Sequence, residues 1–336
     1  MKLAADKIMK IGVMRALQLG DMLCAVPALK TLKKAYPEAH ISLIGLPWAE
    51  SFVSRFKSYV ERFIEFPGYP GLPEQLVDPV KVVAFMQKMQ DEKFDLLIQM
   101  QGDGSYVNPM LELFNASYLA GFYRKEDYCP GEELFMVYPN HGSEISRHLL
   151  LMEYLGLKSE KPDLEFPVTM EDVRDFDALG LPIVEKKYIC VHAGSRGSWR
   201  QWPASHFATL ADYCHEQGFQ IILTGTENEW ELAEKVKNLM KHPAINLAGK
   251  SSLGGMAILL KRSAMLISNC TGVSHMAAAF KTPSIVISMD GEPDRWAPLD
   301  HTIHKTTDWL VQPDLNKVLK DAMTLIQPAS KIPVSR

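Results

Sequence analysis

The segment ISNCTGVSHMAAAF, residues 267–280, passes from apolar strand to small-residue helix within a few positions. The strand ends at Ser268, a short polar turn follows, and the helix begins near Thr271. Exposed N–H groups at such a helix start, here those of Thr271, Gly272 and Val273, attract a diphosphate. His275 falls in the first helical turn, where it is either a second donor to the same ligand or a packed histidine satisfied by the core. Cys270 reads as a small buried hydrophobe. The rhythm continues outward from this segment. Upstream, Tyr188–His192, Phe219–Thr224 and Ala264–Ser268 read as strands, with helical stretches over Pro203–Gln217 and Glu227–Met240; downstream, Ser284–Ser288 reads as a further strand. Strands alternating with helices of this length imply a parallel sheet with right-handed crossovers.

The first half repeats the pattern. Strands are expected over Ile8–Met14, His40–Leu46 and Phe94–Met100, and helices over Asp21–Tyr36 and Pro79–Asp91. Leu23, Val26, Leu29 and Leu32 lie near one face of the first helix, which kinks at Pro27 or begins there. Leu157–Lys187, with Pro162, Pro167 and Pro182 and no clear period, reads as the linker. Two α/β domains of Rossmann type follow, at 1–165 and 180–312, with a final helix at 313–327 expected to pack back on the N-terminal domain. A chain of 336 residues suits two cores better than one.

Composition narrows the classes. Hydrophobic residues at 47% and charged residues at 23% are ordinary for a globular protein, and a net charge of −4 argues against a general nucleic-acid binder. Asp6, Lys7 and Lys10 interrupt the place where a signal peptide needs its apolar core. No apolar run approaches the roughly 18 residues of a membrane span. Five dispersed cysteines, with no CxxC pair, suggest reduced thiols and a cytoplasmic location. No metal-ligand spacing is present, and no cofactor is expected. Asp175-Phe176-Asp177 matches the DxD metal-nucleotide pattern, but no apolar strand precedes it to present both carboxylates.

Three loops carry the remaining chemistry. RALQLGD, residues 15–21, follows the first strand; Gly20 permits a tight turn, and Asp21 reads either as an N-cap or as a catalytic carboxylate. VHAGSRGSWRQWP, residues 191–203, offers Gly194, Ser195 and Arg200 to phosphate oxygens, or is a Gly/Ser loop with solvated arginines. It is neither a Walker loop nor GxGxxG. In LTGTENE, residues 223–229, Glu227 is either a ribose acceptor or a first-turn helix acid.

Taken in order, LGD with Pro27-Ala28-Leu29, Gln101-Gly102, WRQWP, GKSSL (249–253), TGVSH and GEPDRW (291–296) resemble glycosyltransferase family 9, the ADP-heptose:lipopolysaccharide heptosyltransferases and their relatives. The likeness runs over nearly the whole chain. It implies a GT-B architecture, two Rossmann-like domains with parallel sheets facing across a cleft, acceptor on the N-terminal half and donor on the C-terminal half. It implies inverting, single-displacement transfer without metal. By that resemblance Asp21 is the general base, and Gly20, Gln101 and Gly102 lie on the acceptor side. Arg200, Thr271, Gly272 and His275 contact the donor phosphates and sugar, Glu227 the ribose, and Lys250 and Ser251 the adenine-side loop. The implied partners are a nucleotide-diphosphate sugar, ADP-sugar favoured, and a glycolipid or oligosaccharide acceptor at the inner membrane face. The enzyme would be cytoplasmic and peripheral there. One position departs from the family pattern: Asp usually precedes the TG and contacts the transferred sugar, where this chain has Cys270. A thiol accepts hydrogen bonds from hydroxyls poorly, so the change bears on which sugar is moved. Two other readings are a sugar-nucleotide epimerase of GT-B-like fold, which would turn over without acceptor, and a degenerate member that binds but does not transfer.

Overall fold

The computed structural model describes residues 2–326, and these divide into two compact units that part between Asp163 and Leu164. The first holds strands β1 (Lys10–Met14), β2 (His40–Gly45), β3 (Arg62–Glu65), β4 (Leu96–Gln99), β5 (Tyr118–Tyr123) and β6 (Phe135–Val137). All pair in parallel, in the order β3-β2-β1-β4-β5-β6. The second holds β7 (Tyr188–His192), β8 (Gln220–Thr224), β9 (Ala244–Asn246), β10 (Met265–Asn269), β11 (Ser284–Ser288) and β12 (His304–Asp308). Its order is β12-β11-β10-β7-β8-β9, again wholly parallel. Counted within each unit, both sheets run 3-2-1-4-5-6, the doubly wound order of dinucleotide-binding folds.

Burial explains which strands were legible. Every residue of β4, β7, β10 and β11 is buried, as expected when helices cover both faces of a parallel sheet. In the second unit Ile189, Val191, Ile221, Leu223, Ile267 and Ile285 form the centre of a core that helix Ala204–Glu216 closes with Phe207 and Leu210. In the first, helix Leu19–Ala35 packs against helix Glu144–Tyr154.

Two expectations change. Helix Leu19–Ala35 is one helix with Pro27 inside it, beginning before Asp21. The proline has no N–H for the Leu23 carbonyl one turn back, and the helix runs on past it with Met22–Leu29 buried. The expected linker contains helix Met170–Ala178, started by a capping box between Thr169 and Asp172. Phe176 of the DxD match is buried, Asp175 accepts from the Ser252 hydroxyl at 2.6 Å, and Asp177 lies 3.9 Å from Arg262. These carboxylates tie that helix to helix Leu253–Arg262. Helix Leu315–Leu325, within the expected final helix at 313–327, sinks Val318 and Ala322 into the core of the second unit. Gln327, the last residue of that expected span, lies outside the described residues.

Candidate active site

In sheets of this order ligands bind beyond the carboxyl ends of the strands at the point where the order reverses. That point falls between β1 and β4 in the first unit and between β7 and β10 in the second.

In the second unit the loops leaving β7 and β10 are fastened to each other. Asn269, at the end of β10, donates from Nδ2 to the carbonyls of Ala193 (2.7 Å) and Gly194 (3.2 Å), and its Oδ1 accepts from the Trp202 N–H at 2.8 Å. Two residues on, Thr271 is the extended N-cap of helix Gly272–Ala279, and its side chain makes no capping bond. The helix therefore starts with N–H groups that no side-chain cap at Thr271 satisfies. The Thr271 and Ser195 hydroxyls are buried and meet no hydrogen-bond partner among the described residues. Thr271 stands at the helix start and Ser195 follows Gly194, whose carbonyl Asn269 holds; buried hydroxyls with no partner in such loops suit the oxygens of an anion. His275 is 4% exposed and lies edge-on to Trp296, with ring centroids 6.4 Å apart.

Arg200 lies in the loop after β7, beside the Trp199 ring, and pairs with Asp290 in the loop after β11. The Asp290 carboxylate is further held by the Ser288 hydroxyl at 2.8 Å. A guanidinium has five donors, so this pair leaves capacity for phosphate oxygens. Cys270 is 6% exposed and its thiol lies 3.5 Å from the Trp296 carbonyl. Burial pushes that thiol up to about 12, with Asp290 raising it further and Arg200 opposing. Asp290 and Arg200 thus both lie within electrostatic reach of the Cys270 thiol.

Gly194 is needed for close approach: a side-chain carbon there would collide with the Glu229 carboxylate. Glu229 also accepts from the Thr226 N–H (2.7 Å) and hydroxyl (3.0 Å), and lies 3.8 Å from His192. Burial holds the His192 imidazole below its usual range, with Glu229 acting in the other direction. Glu227 is exposed in the turn after β8 and backs onto Gly249 in the loop after β9, next to exposed Lys250 and half-buried Ser251. The structure therefore gathers Gly194, Ser195, Arg200, Thr271, Gly272 and His275 around β7, β10 and β11, and sets Glu227, Lys250 and Ser251 around β8 and β9.

In the first unit Asp21 is the third residue of its helix and half-buried; the N-cap is Gln18, so the simple capping reading of Asp21 does not hold. Gly20 precedes it in the first turn. Gln101 is buried, with its Oε1 accepting from the Ala16 N–H at 2.7 Å and its Nε2 donating to the Ala16 carbonyl at 3.4 Å. Its carboxamide thereby ties the β1 loop to the β4 loop. Gly102 turns with φ +57°, a backbone state that glycine adopts without strain.

The sequence profile of glycosyltransferase family 9 (heptosyltransferase) matches residues 82–318. The chain belongs to glycosyltransferase family 9. Lipopolysaccharide heptosyltransferase 3 of Escherichia coli (strain K12) is 25% identical over 297 residues, 84% of this chain and 83% of that protein. A family 9 glycosyl transferase from Veillonella parvula superposes with a TM-score of 0.76 at 19% identity, over 94% of this chain and 97% of the other. The E. coli ADP-heptose lps heptosyltransferase II gives 0.74 at 20%, over 94% and 98%. The chain is a glycosyltransferase of GT-B-like, two-domain α/β fold. Sequence reasoning missed several side chains that shape this glycosyltransferase's loops: Arg15, His192, Glu229, Asn269 and Asp290. The one local signal was a polar residue closing an apolar strand, as Asn269 does after MLIS. Among the described residues no helix is long and apolar enough to cross a membrane, and no three His, Cys, Asp or Glu side chains are placed to hold a metal.

Proposed function

We propose that this family 9 member transfers a sugar, heptose or a related one, from a nucleotide-diphosphate donor to a lipopolysaccharide-core glycolipid, with inversion and without metal. The observation that carries the donor half is the uncapped start of helix Gly272–Ala279 with the buried Thr271 hydroxyl at it, and the buried Ser195 hydroxyl in the loop that Asn269 ties to β10. There the backbone amides of Thr271 and Gly272, with Arg200 and His275, stabilise the departing diphosphate. Gly194 allows the backbone to come close, Glu227 accepts from the ribose, and Lys250 and Ser251 flank the base. An ADP-sugar is favoured, in keeping with the E. coli relative whose name includes ADP-heptose. Asp21 takes the proton of the acceptor hydroxyl as that oxygen attacks the anomeric carbon. Gly20, Gln101 and Gly102 shape the acceptor side around it. Such an enzyme works in the cytoplasm, at the inner membrane face where its acceptor would lie.

Calorimetric titration of the purified protein with ADP-, GDP-, UDP- and dTDP-sugars tests the donor half. ADP-sugars bind most tightly under this reading, and a bound nucleotide diphosphate located in the first unit alone overturns it.

A further inference from the structure

The junction between β1 and the helix that carries Asp21 is held from within by an arginine that water does not reach. Arg15 is 0% exposed. Its Nε and Nη2 donate to the backbone carbonyl of Asp21 at 3.0 and 2.8 Å, and its Nη1 donates to the carbonyl of Met100. Nη2 also lies 3.3 Å from the buried Glu144 carboxylate. One rigid guanidinium thus joins the end of β1, the first turn of helix Leu19–Ala35 and the residue after β4. These are the elements that meet where the strand order of the first sheet reverses. Gln101 fastens the same loop at Ala16, and its own carbonyl accepts from the Gln99 side chain at 2.7 Å.

Burying a charge is costly unless a counter-charge and hydrogen bonds compensate it, and apolar side chains often fill such space as well or better. Here the compensation is elaborate. Besides Arg15, Glu144 faces His148 at 3.3 Å, the Tyr138 hydroxyl at 3.4 Å and Arg147 at 3.8 Å. A core that needed only filling would not require a forked donor aimed at one backbone carbonyl.

We propose that Arg15, backed by Glu144 and Gln101, is the positioning residue of Asp21. It fixes where the Asp21 carboxylate stands and touches neither donor nor acceptor. The inference rests on the reading of Asp21 as general base. A group misplaced by about 1 Å can cost roughly 100-fold in rate. Lysine retains the charge beside Glu144 but, as a single ammonium on a flexible stem, cannot reproduce the fork.

The test is Arg15→Lys in the wild-type and Asp21→Asn backgrounds, with the active fraction measured by donor-binding stoichiometry. In the wild-type background kcat falls about 10- to 100-fold while donor affinity stays unchanged. In the Asp21→Asn background the same change has no further effect, because the group being positioned is already gone. Should Arg15→Lys fail to fold, Gln101→Met is read for the same pattern. A wild-type kcat in Arg15→Lys, with Asp21→Asn inactive, overturns the positioning role and leaves the base standing. An equal loss in both backgrounds also overturns it, since it marks a general structural effect. Near-full transfer by Asp21→Asn removes the base and this inference together.

Discussion

Asn269 is the tether on which the second unit's site depends, and Asn269→Ala measures it. The change deletes three hydrogen bonds at 2.7, 2.8 and 3.2 Å. It leaves the Trp202 N–H and the Ala193 and Gly194 carbonyls in a region where Asn269, Ala193 and Trp202 are all at most 4% exposed. At about 1 kcal/mol per bond, the loss is about 3 kcal/mol. For a unit of this size each kcal/mol moves the midpoint by roughly 2–4 °C, so the unfolding of the second unit shifts down by about 6–12 °C. The released loops are those that carry Ser195 and Arg200, so the site loses preorganisation as well. If half of the lost energy is felt on binding, nucleotide affinity falls roughly tenfold. Scanning calorimetry with and without ADP, together with titration calorimetry, reads both quantities. A shift under about 2 °C with unchanged ADP affinity would refute the tether and the preorganisation argued from it.

Three further outcomes are expected. Cys190, Cys214 and Cys270, all with thiols pushed up to about 12 by burial, resist iodoacetamide at pH 8 while half-buried Cys129 reacts first; peptide mapping that finds Cys270 modified as fast as Cys129 contradicts its placement. Cys270→Asp puts a carboxylate near Asp290 and restores an acceptor for sugar hydroxyls, so the ranking of donor sugars changes, by as much as about 10⁴ for a hydroxyl left unpaired; an unchanged ranking, or a wild-type protein that already prefers ADP-heptose by a wide margin, shows that this position does not select the sugar. Buried His304, beside the Ser284 hydroxyl at 2.7 Å, is held down to about 4 chiefly by desolvation. The unfolded chain protonates it near 6.5 while the fold does not, so stability falls by up to ~3 kcal/mol as pH drops from 6.5 to 4 and is whole above that window. In His304→Gln the plot of unfolding midpoint against pH should be flatter there, and an identical slope dismisses the assignment.

Much of this was legible because parallel strands buried on both faces read as apolar runs. ICV in β7, MLI in β10 and IVI in β11 stand out for that reason. Most of the strands that were not legible are short or polar: Arg62–Glu65 has four residues, Phe135–Val137 and Ala244–Asn246 have three each, and HKTTD in β12 carries no apolar side chain; β5, YLAGFY, is longer and apolar but only its inner residues are buried, and it was missed as well. β12 is an edge strand, where polarity discourages further pairing. The helix Met170–Ala178 was hidden by flanking prolines, although Thr169 and Asp172 mark its start. At the site, Asp21, Thr271 and Gly272 could be read because strand, turn and helix are adjacent in sequence. Arg15 with Glu144, Arg200 with Asp290, and Asn269 with Trp202 are separated by 129, 90 and 67 residues. No local spacing signals partners that only the strand order brings together.

Whether Asp21 serves as a base in metal-free sugar transfer is read from transfer itself. Wild-type and Asp21→Asn proteins are incubated with an ADP-heptose donor and a truncated core glycolipid in EDTA, and the glycolipid is followed by mass spectrometry. Asparagine keeps the shape of aspartate but removes the base, a loss of about 10²–10⁴ in rate. A mass increase of one sugar is expected with the wild-type protein despite the chelator, none at comparable times with Asp21→Asn, and equal nucleotide binding by both. Near-full transfer by Asp21→Asn, or wild-type transfer that EDTA abolishes and a divalent ion restores, would contradict it.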